Sequence, residues 1–169
     1  MVIWITGLSG SGKSTLGNAL YALIKPSGRP LVKLDGDEIR AVFGDDLGYR
    51  EEDRMRQIGR IQRLAKLLAD HGIDVLVAAL YANPDLLAWN RANLPGYFEI
   101  YIEAGIDFLT PRNPKDLYGR ARRGEIADVV GHDIPWHAPA KPDLLIRADQ
   151  APAPEVLAAD VLRKIAHLL

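Results

Sequence analysis

The chain has 169 residues, is 48% hydrophobic and 25% charged, and carries a formal net charge of −1. That length and balance suit one globular domain with a sizeable core, and the charge gives no reason to expect nucleic acid or an anionic membrane as a partner. It holds no cysteine, which excludes disulfides, thiolate metal sites and cysteine nucleophiles.

The first apolar run, VIWIT at residues 2–6, reads as a buried strand with no basic leader ahead of it, so the cytoplasm is the expected location. It leads directly into Gly7-Leu8-Ser9-Gly10-Ser11-Gly12-Lys13-Ser14-Thr15, which fits the phosphate-loop pattern G-x-x-x-x-G-K-[ST]. Glycines let such a loop turn successive N–H groups inward at phosphate oxygens, and the helix that follows adds its positive dipole end. In this pattern Lys13 reaches the β- and γ-phosphates of ATP, and the Ser14 hydroxyl sits on Mg²⁺. A helix is expected over residues 15–24 and a second strand over 30–34.

The second strand runs into Leu34-Asp35-Gly36-Asp37-Glu38-Ile39-Arg40. Two carboxylates around a glycine at a strand's carboxyl end would face the phosphate crevice of a doubly wound sheet. Phosphoryl transfer to a hydroxyl needs a Mg²⁺ shell and a carboxylate to take the hydroxyl proton, roles that suit Asp35 and Asp37. Arg40 follows Asp37 by one helical turn. Arg54, Arg56 and Arg60 lie on the next helix, 51–71, where Arg56 and Arg63 read as solvated charges. Arginine forks of this kind grip phosphate or sulfate.

Strands at 75–80, 98–102 and 144–146 alternate with helices at 85–93 and 156–169; the last carries Leu157, Val161, Ile165 and Leu168 at helical spacing. Alternation of this kind implies α/β architecture, a parallel sheet covered on both faces. Residues 110–142 break the pattern. They contain Arg112, Lys115, Arg120, Arg122 and Arg123, and read as a lid that brings cations over phosphates and excludes water. His132 and His137 with Asp133 do not converge with further ligands, so no metal site is expected there. The absence of an Asn-Lys-x-Asp sequence argues against a guanine-specific switch.

The phosphate loop, Leu34–Arg40, Asp46-Leu47-Gly48-Tyr49, Asp53-Arg54 and Arg112-Asn113-Pro114-Lys115-Asp116-Leu117-Tyr118 occur together in an order and spacing similar to the adenylyl-sulfate kinase family of P-loop kinases. The resemblance covers nearly the whole chain. It implies one domain over residues 1–169, a three-layer P-loop kinase fold with a five-stranded parallel sheet, and transfer of the ATP γ-phosphoryl group to the 3′-hydroxyl of a nucleotide conjugate. Residue by residue, Asp37 matches the base beside the acceptor hydroxyl and Asp35 its companion on the Mg²⁺ side. Arg40 and Arg54 match arginines that hold the acceptor's anionic group, Tyr49 an aromatic that stacks on the acceptor base, and Arg112 a lid arginine near the ATP adenine. The partners implied are small nucleotides, and a homodimer stays open.

Departures from the family pattern cluster on the acceptor side. Where the family shows Ile-Ser-Pro-aromatic-Arg after the third strand, this chain has Ala79-Leu80-Tyr81-Ala82-Asn83-Pro84. An asparagine usual after Asp-Arg corresponds to Gln57, and the aspartate after the lid arginine is Asn113. Ala127-Asp128-Val129-Val130-Gly131 replaces Lys-x-Phe-Thr-Gly, putting valine where a second aromatic wall is usual. Loss of one stacking wall costs roughly 1–3 kcal/mol of base holding. Tyr81, at a strand end near the crevice, is expected to contact the acceptor; Trp89 reads as core; Trp136 is equally suited to packing or to a ligand.

Adenylyl sulfate is the acceptor best supported by the whole resemblance. The resemblance also extends to a relative acting on cytidine diphosphoramidate, whose smaller pyrimidine suits the altered pocket. A nucleotide-gated binding protein and a kinase of a non-nucleotide metabolite are the remaining alternatives, and the paired acids of the acceptor crevice speak against the former.

Overall fold

Alternating side chains along each strand decide which layer covers which face. The computed structural model describes residues 1–44, 46–113 and 115–168. Strands β1 (Val2–Thr6), β2 (Leu31–Asp35), β3 (Asp74–Ala79), β4 (Tyr97–Glu103) and β5 (Leu144–Arg147) form one sheet in the order β2-β3-β1-β4-β5. All its pairings are parallel, with Val2 opposite Val75 on one side and Tyr97 on the other.

Ile3, Ile5, Leu76, Ile100 and Ile102 point to one face, where they meet Leu16 and Leu20 of α1 (Lys13–Ile24) and Val161 and Ile165 of α7 (Pro154–Ile165). Val2, Trp4, Val75, Val77 and Ala79 point to the other. There they meet Ile58, Ile61 and Ala65 of α3 (Glu51–Asp70), with Leu86 and Trp89 of α4 (Pro84–Asn93) packed alongside. The result is the three-layer α/β arrangement that the chain pattern implies. Among the described residues no helix is long and apolar enough to cross a membrane.

Element ends depart from the sequence reading where polar side chains intervene. Strand β2 runs to Asp35, whose carboxylate accepts the Asp37 N–H and starts α2 (Gly36–Val42) without a loop. Helix α1 begins at Lys13, so the phosphate-loop lysine is itself helical. The last helix stops at Ile165, and Leu169 lies outside the described residues.

Residues 110–142 are not a bare excursion. After α5 (Ile106–Leu109), a 3-10 turn at Thr110–Arg112 precedes α6 (Leu117–Arg122), and Val130 and Ile134 form a short bridge. Tyr118, Ala121, Val129, Val130 and Ile134 are buried with Leu8 in the same core cluster as β1, which docks this segment on the phosphate-loop side of the sheet. Pro114 of the lid motif lies outside the described residues.

Ile100 sits fully buried in the middle of the sheet. Ile100→Ala is expected to lower unfolding free energy by about 2–5 kcal/mol, read from the urea midpoint at unchanged slope. A loss below about 1 kcal/mol would contradict this packing.

Candidate active site

The loop after β1 needs glycine at its first turn. Gly7 has φ 155, and a Cβ there would stand 2.5 Å from the Ile102 carbonyl oxygen and 2.8 Å from Ser11 Oγ. Backbone therefore lies flat on the end of β4. Gly12 takes a left-handed conformation (φ 101) immediately before α1, and its carbonyl accepts the Leu16 N–H at 2.9 Å. The first N–H groups of α1 are left without helical acceptors, as an anion site requires. Lys13 is buried, and its Nζ donates to the Leu8 carbonyl at 2.8 Å. Burial pushes its ammonium down to about 8, against the opposing pull of Asp35 and Asp37.

The acids meet this loop. Ser14 Oγ donates to Asp35 Oδ2 at 2.6 Å, while Asp35 Oδ1 accepts the Asp37 N–H at 3.0 Å. Asp37 is 79% exposed, with its Oδ2 at 3.5 Å from Lys115 Nζ. The Ser14 and Asp35 oxygens fit Mg²⁺, a hard cation that takes one or two protein oxygens together with substrate phosphates and water. Among the described residues no group of three or more His, Cys, Asp or Glu side chains could hold a metal, so such a cation would depend on ligand phosphates. Gly10 (φ 82) and Ser9 face Asn113. Ser9 Oγ accepts from Asn113 Nδ2 at 3.1 Å and its carbonyl accepts the Tyr118 hydroxyl at 3.3 Å. Ser11 is buried below the loop, and Thr15 is exposed on the third position of α1.

One turn along α2 from Asp37, Arg40 forms a second cluster with Arg54 and Tyr49. Arg40 is buried; its Nη1 donates to the carbonyls of Leu47 and Gly48 at 2.7 and 3.0 Å. Arg54 donates from Nε to the Tyr49 carbonyl at 2.7 Å and from Nη2 to the Asp128 carbonyl at 2.6 Å. Both guanidinium groups stand over the exposed Tyr49 ring, at 4.7 and 5.5 Å from its centroid. Burial and the neighbouring Arg40 lower the pKa of Arg54. Gln57 is buried and donates from Nε2 to the Gly36 carbonyl at 3.2 Å, bracing the start of α2, while its Oε1 has no hydrogen-bond partner.

Two expected pocket walls are corrected. Tyr81 is only 3% exposed and packs in the core, its hydroxyl donating to Glu51 Oε1 at 2.5 Å. Burial first, and Glu51 second, push its pKa up to about 12. It turns its ring to the core rather than to a ligand, because the apolar face under α3 takes it. Val129 is likewise buried in the core, so it offers a ligand no open face. Trp136 packs on the sheet side, with its Nε1–H donating to the Tyr101 hydroxyl at 3.3 Å and the two rings 6.0 Å apart.

On the opposite side of the loop, the Arg112 guanidinium stacks over Phe108 at 4.1 Å. Phe108 lines a hollow of about 470 Å³ together with Glu103, Ala104, Gly105, Arg147, Asp149 and Gln150. No motif marks this hollow, because its lining comes from two loops at the carboxyl ends of β4 and β5.

The model of the family described as Adenylylsulphate kinase matches residues 1–147. The chain belongs to this family. An adenylyl-sulfate kinase of Chloroflexus aurantiacus is 41% identical over 175 residues, which cover 99% of this chain and 94% of the relative. Another from Paraburkholderia xenovorans is 39% identical, covering 99% and 92%. The Mycobacterium tuberculosis APS kinase CysC, solved in complex with AMPPNP and APS, superposes with a TM-score of 0.88 at 32% identity, covering 98% of this chain and 96% of that one. Shikimate kinase of Aquifex aeolicus, at 18% identity and a TM-score of 0.59 over 99% and 97% of the two chains, shares the fold.

Nucleotide phosphates at Lys13 would raise its pKa from about 8, so binding above that pH takes up a proton. The affinity for ATP is therefore expected to fall about tenfold between pH 7 and pH 9. Calorimetry in buffers of differing ionisation enthalpy should show that uptake. Lys13→Ala should bind weakly and without the slope; an equal slope in that variant would reject the assignment.

Proposed function

We propose that this chain transfers the γ-phosphoryl group of ATP to the 3′-hydroxyl of adenylyl sulfate, giving the 3′-phosphorylated product and ADP. The observation that carries the reading is the Ser14–Asp35 bond of 2.6 Å, which joins the acid at the end of the second strand to the phosphate-loop motif, with Asp37 two residues on. Membership of the adenylyl-sulfate kinase family supports the acceptor.

In this reading, backbone N–H groups of residues 9–14 and the Lys13 ammonium hold the β- and γ-phosphates. Ser14 and Asp35 would hold Mg²⁺, which when bound supplies charge neutralisation on the phosphate oxygens. Asp37 accepts the 3′-hydroxyl proton as that oxygen bonds to the γ-phosphorus and the bond to the ADP oxygen breaks. Tyr49, Arg40 and Arg54 hold the acceptor, with Gln57 bracing α2 beneath them. The hollow beside Phe108 and Arg112 suits the donor's base. Residues 1–169 act as one domain, with 110–142 as the lid, in the cytoplasm where ATP is abundant.

One observation favours a second acceptor. Val129, the position where the family usually has an aromatic, is buried in the core, leaving Tyr49 as the exposed ring of the acceptor cluster. A pyrimidine conjugate such as cytidine diphosphoramidate asks less of a second wall than a purine does.

Coupled ADP release with ATP and either adenylyl sulfate or cytidine diphosphoramidate separates these readings. Fast release only with adenylyl sulfate is expected. Release only with the cytidine conjugate moves the assignment to that acceptor, and slow acceptor-independent turnover would mark a nucleotide-gated switch. Asp37→Asn should lower kcat at least hundredfold, about 3 kcal/mol of barrier, with ATP affinity near that of the parent. Parental turnover in this variant would remove Asp37 from the role of base.

A further inference from the structure

We propose that Asn113 is a positioning residue: its carboxamide ties the phosphate loop to the backbone of Lys115, and through it sets the lysine that meets Asp37. The inference rests on the proposed role of Asp37 as base. Asn113 is 7% exposed, and it uses both ends of its amide. Nδ2 donates to Ser9 Oγ at 3.1 Å, and Oδ1 accepts the Lys115 N–H at 3.0 Å. The contact is close on the backbone side too, because a Cβ on Gly10 would lie 3.8 Å from the Asn113 Cα. Two residues on, the Lys115 ammonium stands 3.5 Å from Asp37 Oδ2.

That ion pair is solvent-exposed at both ends. Exposed pairs of long side chains are weak by themselves, since the lysine stem must be ordered to make them. Holding the Lys115 N–H on the Asn113 carboxamide removes part of that disorder before the pair forms. A chain of contacts thus runs Ser9, Asn113, Lys115, Asp37, from the loop that holds the donor phosphates to the group that faces the acceptor. The Tyr118 hydroxyl on the Ser9 carbonyl supplies a separate tie between lid and loop, so the lid keeps its seat when the amide of Asn113 is removed. The role of Asn113 is therefore directional rather than one of docking.

A double-mutant cycle on Asn113 and Lys115, read by ADP release with ATP and adenylyl sulfate, tests this. Asn113→Ala and Lys115→Ala are each expected to lower kcat about 10- to 30-fold with the KM for ATP within about threefold, and Asn113→Ala in the Lys115→Ala background to cost less than about twofold more. Asn113→Asp should recover most of the rate, because its carboxylate still accepts the Lys115 N–H and the Ser9 hydroxyl can turn to donate. Fully multiplicative losses, or a Lys115→Ala variant with parental kcat, would overturn the proposal. A second arm needs no acceptor: amide hydrogen exchange at Lys115, measured with a non-hydrolysable ATP analogue bound, should speed up in Asn113→Ala and not in Asn113→Asp. If the parent chain ignores adenylyl sulfate, the functional reading fails. Exchange at Lys115 still judges the tie, and parental protection in Asn113→Ala would reject it.

Discussion

The bond between the Ser14 hydroxyl and the Asp35 carboxylate is the constraint on which the site depends. Ser14 belongs to the first turn of α1, which follows β1, and Asp35 to the end of β2; β1 and β2 do not touch because β3 lies between them. Bridging over β3 requires that nothing large stand at its carboxyl end. The strand closes on Ala78 and Ala79, and a Cβ on Gly36 would be in ordinary van der Waals contact with the Ala78 carbonyl oxygen, at 3.6 Å. Small residues there let a carboxylate reach the loop. The same approach sets Asp35 and Asp37 in the electrostatic surroundings of the buried Lys13.

Cations in this molecule are held in place before any ligand is considered. Lys13 is fastened to the Leu8 carbonyl, Arg40 to two carbonyls of the turn before α3, and Arg54 to carbonyls of that turn and of the lid segment. Fastening limits the rotamer entropy that an anion would otherwise have to remove. The segment from 110 to 142 touches both halves of the site. Asn113 and Tyr118 reach the phosphate loop, while Asp128 meets Arg54 beside Tyr49. Asp133 fastens the turn between, accepting the N–H groups of Asp128 and Val129. The phosphate-loop motif and the Arg54–Tyr49 cluster are therefore linked through one stretch of chain.

The phosphate loop was legible residue by residue because each of its parts is local: a glycine conformation, a lysine and a hydroxyl at set spacing. Asp35 and Asp37 were legible for a related reason, as the strand-ending carboxylate is also the cap of the next helix. The aromatic residues were not. Tyr81 and Trp136 suit both core and ligand by composition, and the structure packs each of them against protein, as it does Trp89, which the sequence reads as core. Glu51, which takes the Tyr81 hydroxyl, is 30 residues distant in sequence. The hollow beside Phe108 escaped notice for the same cause, since Arg147, Asp149 and Gln150 meet it from a different loop.

By itself, then, the sequence determined the α/β class, the strand–loop–helix of the phosphate-loop motif and the acids that follow the second strand. These rest on periodicity and short-range spacing, which act within a few residues. Tertiary structure alone decided that Tyr81 and Val129 turn inward, that Asn113 bridges Ser9 to Lys115, and that Arg54 joins the Tyr49 carbonyl to that of Asp128. Those outcomes depend on which faces the sheet and its covering helices leave exposed. Burial of an aromatic or pairing of a distant amide is a property of the assembled layers, and no local pattern carries it.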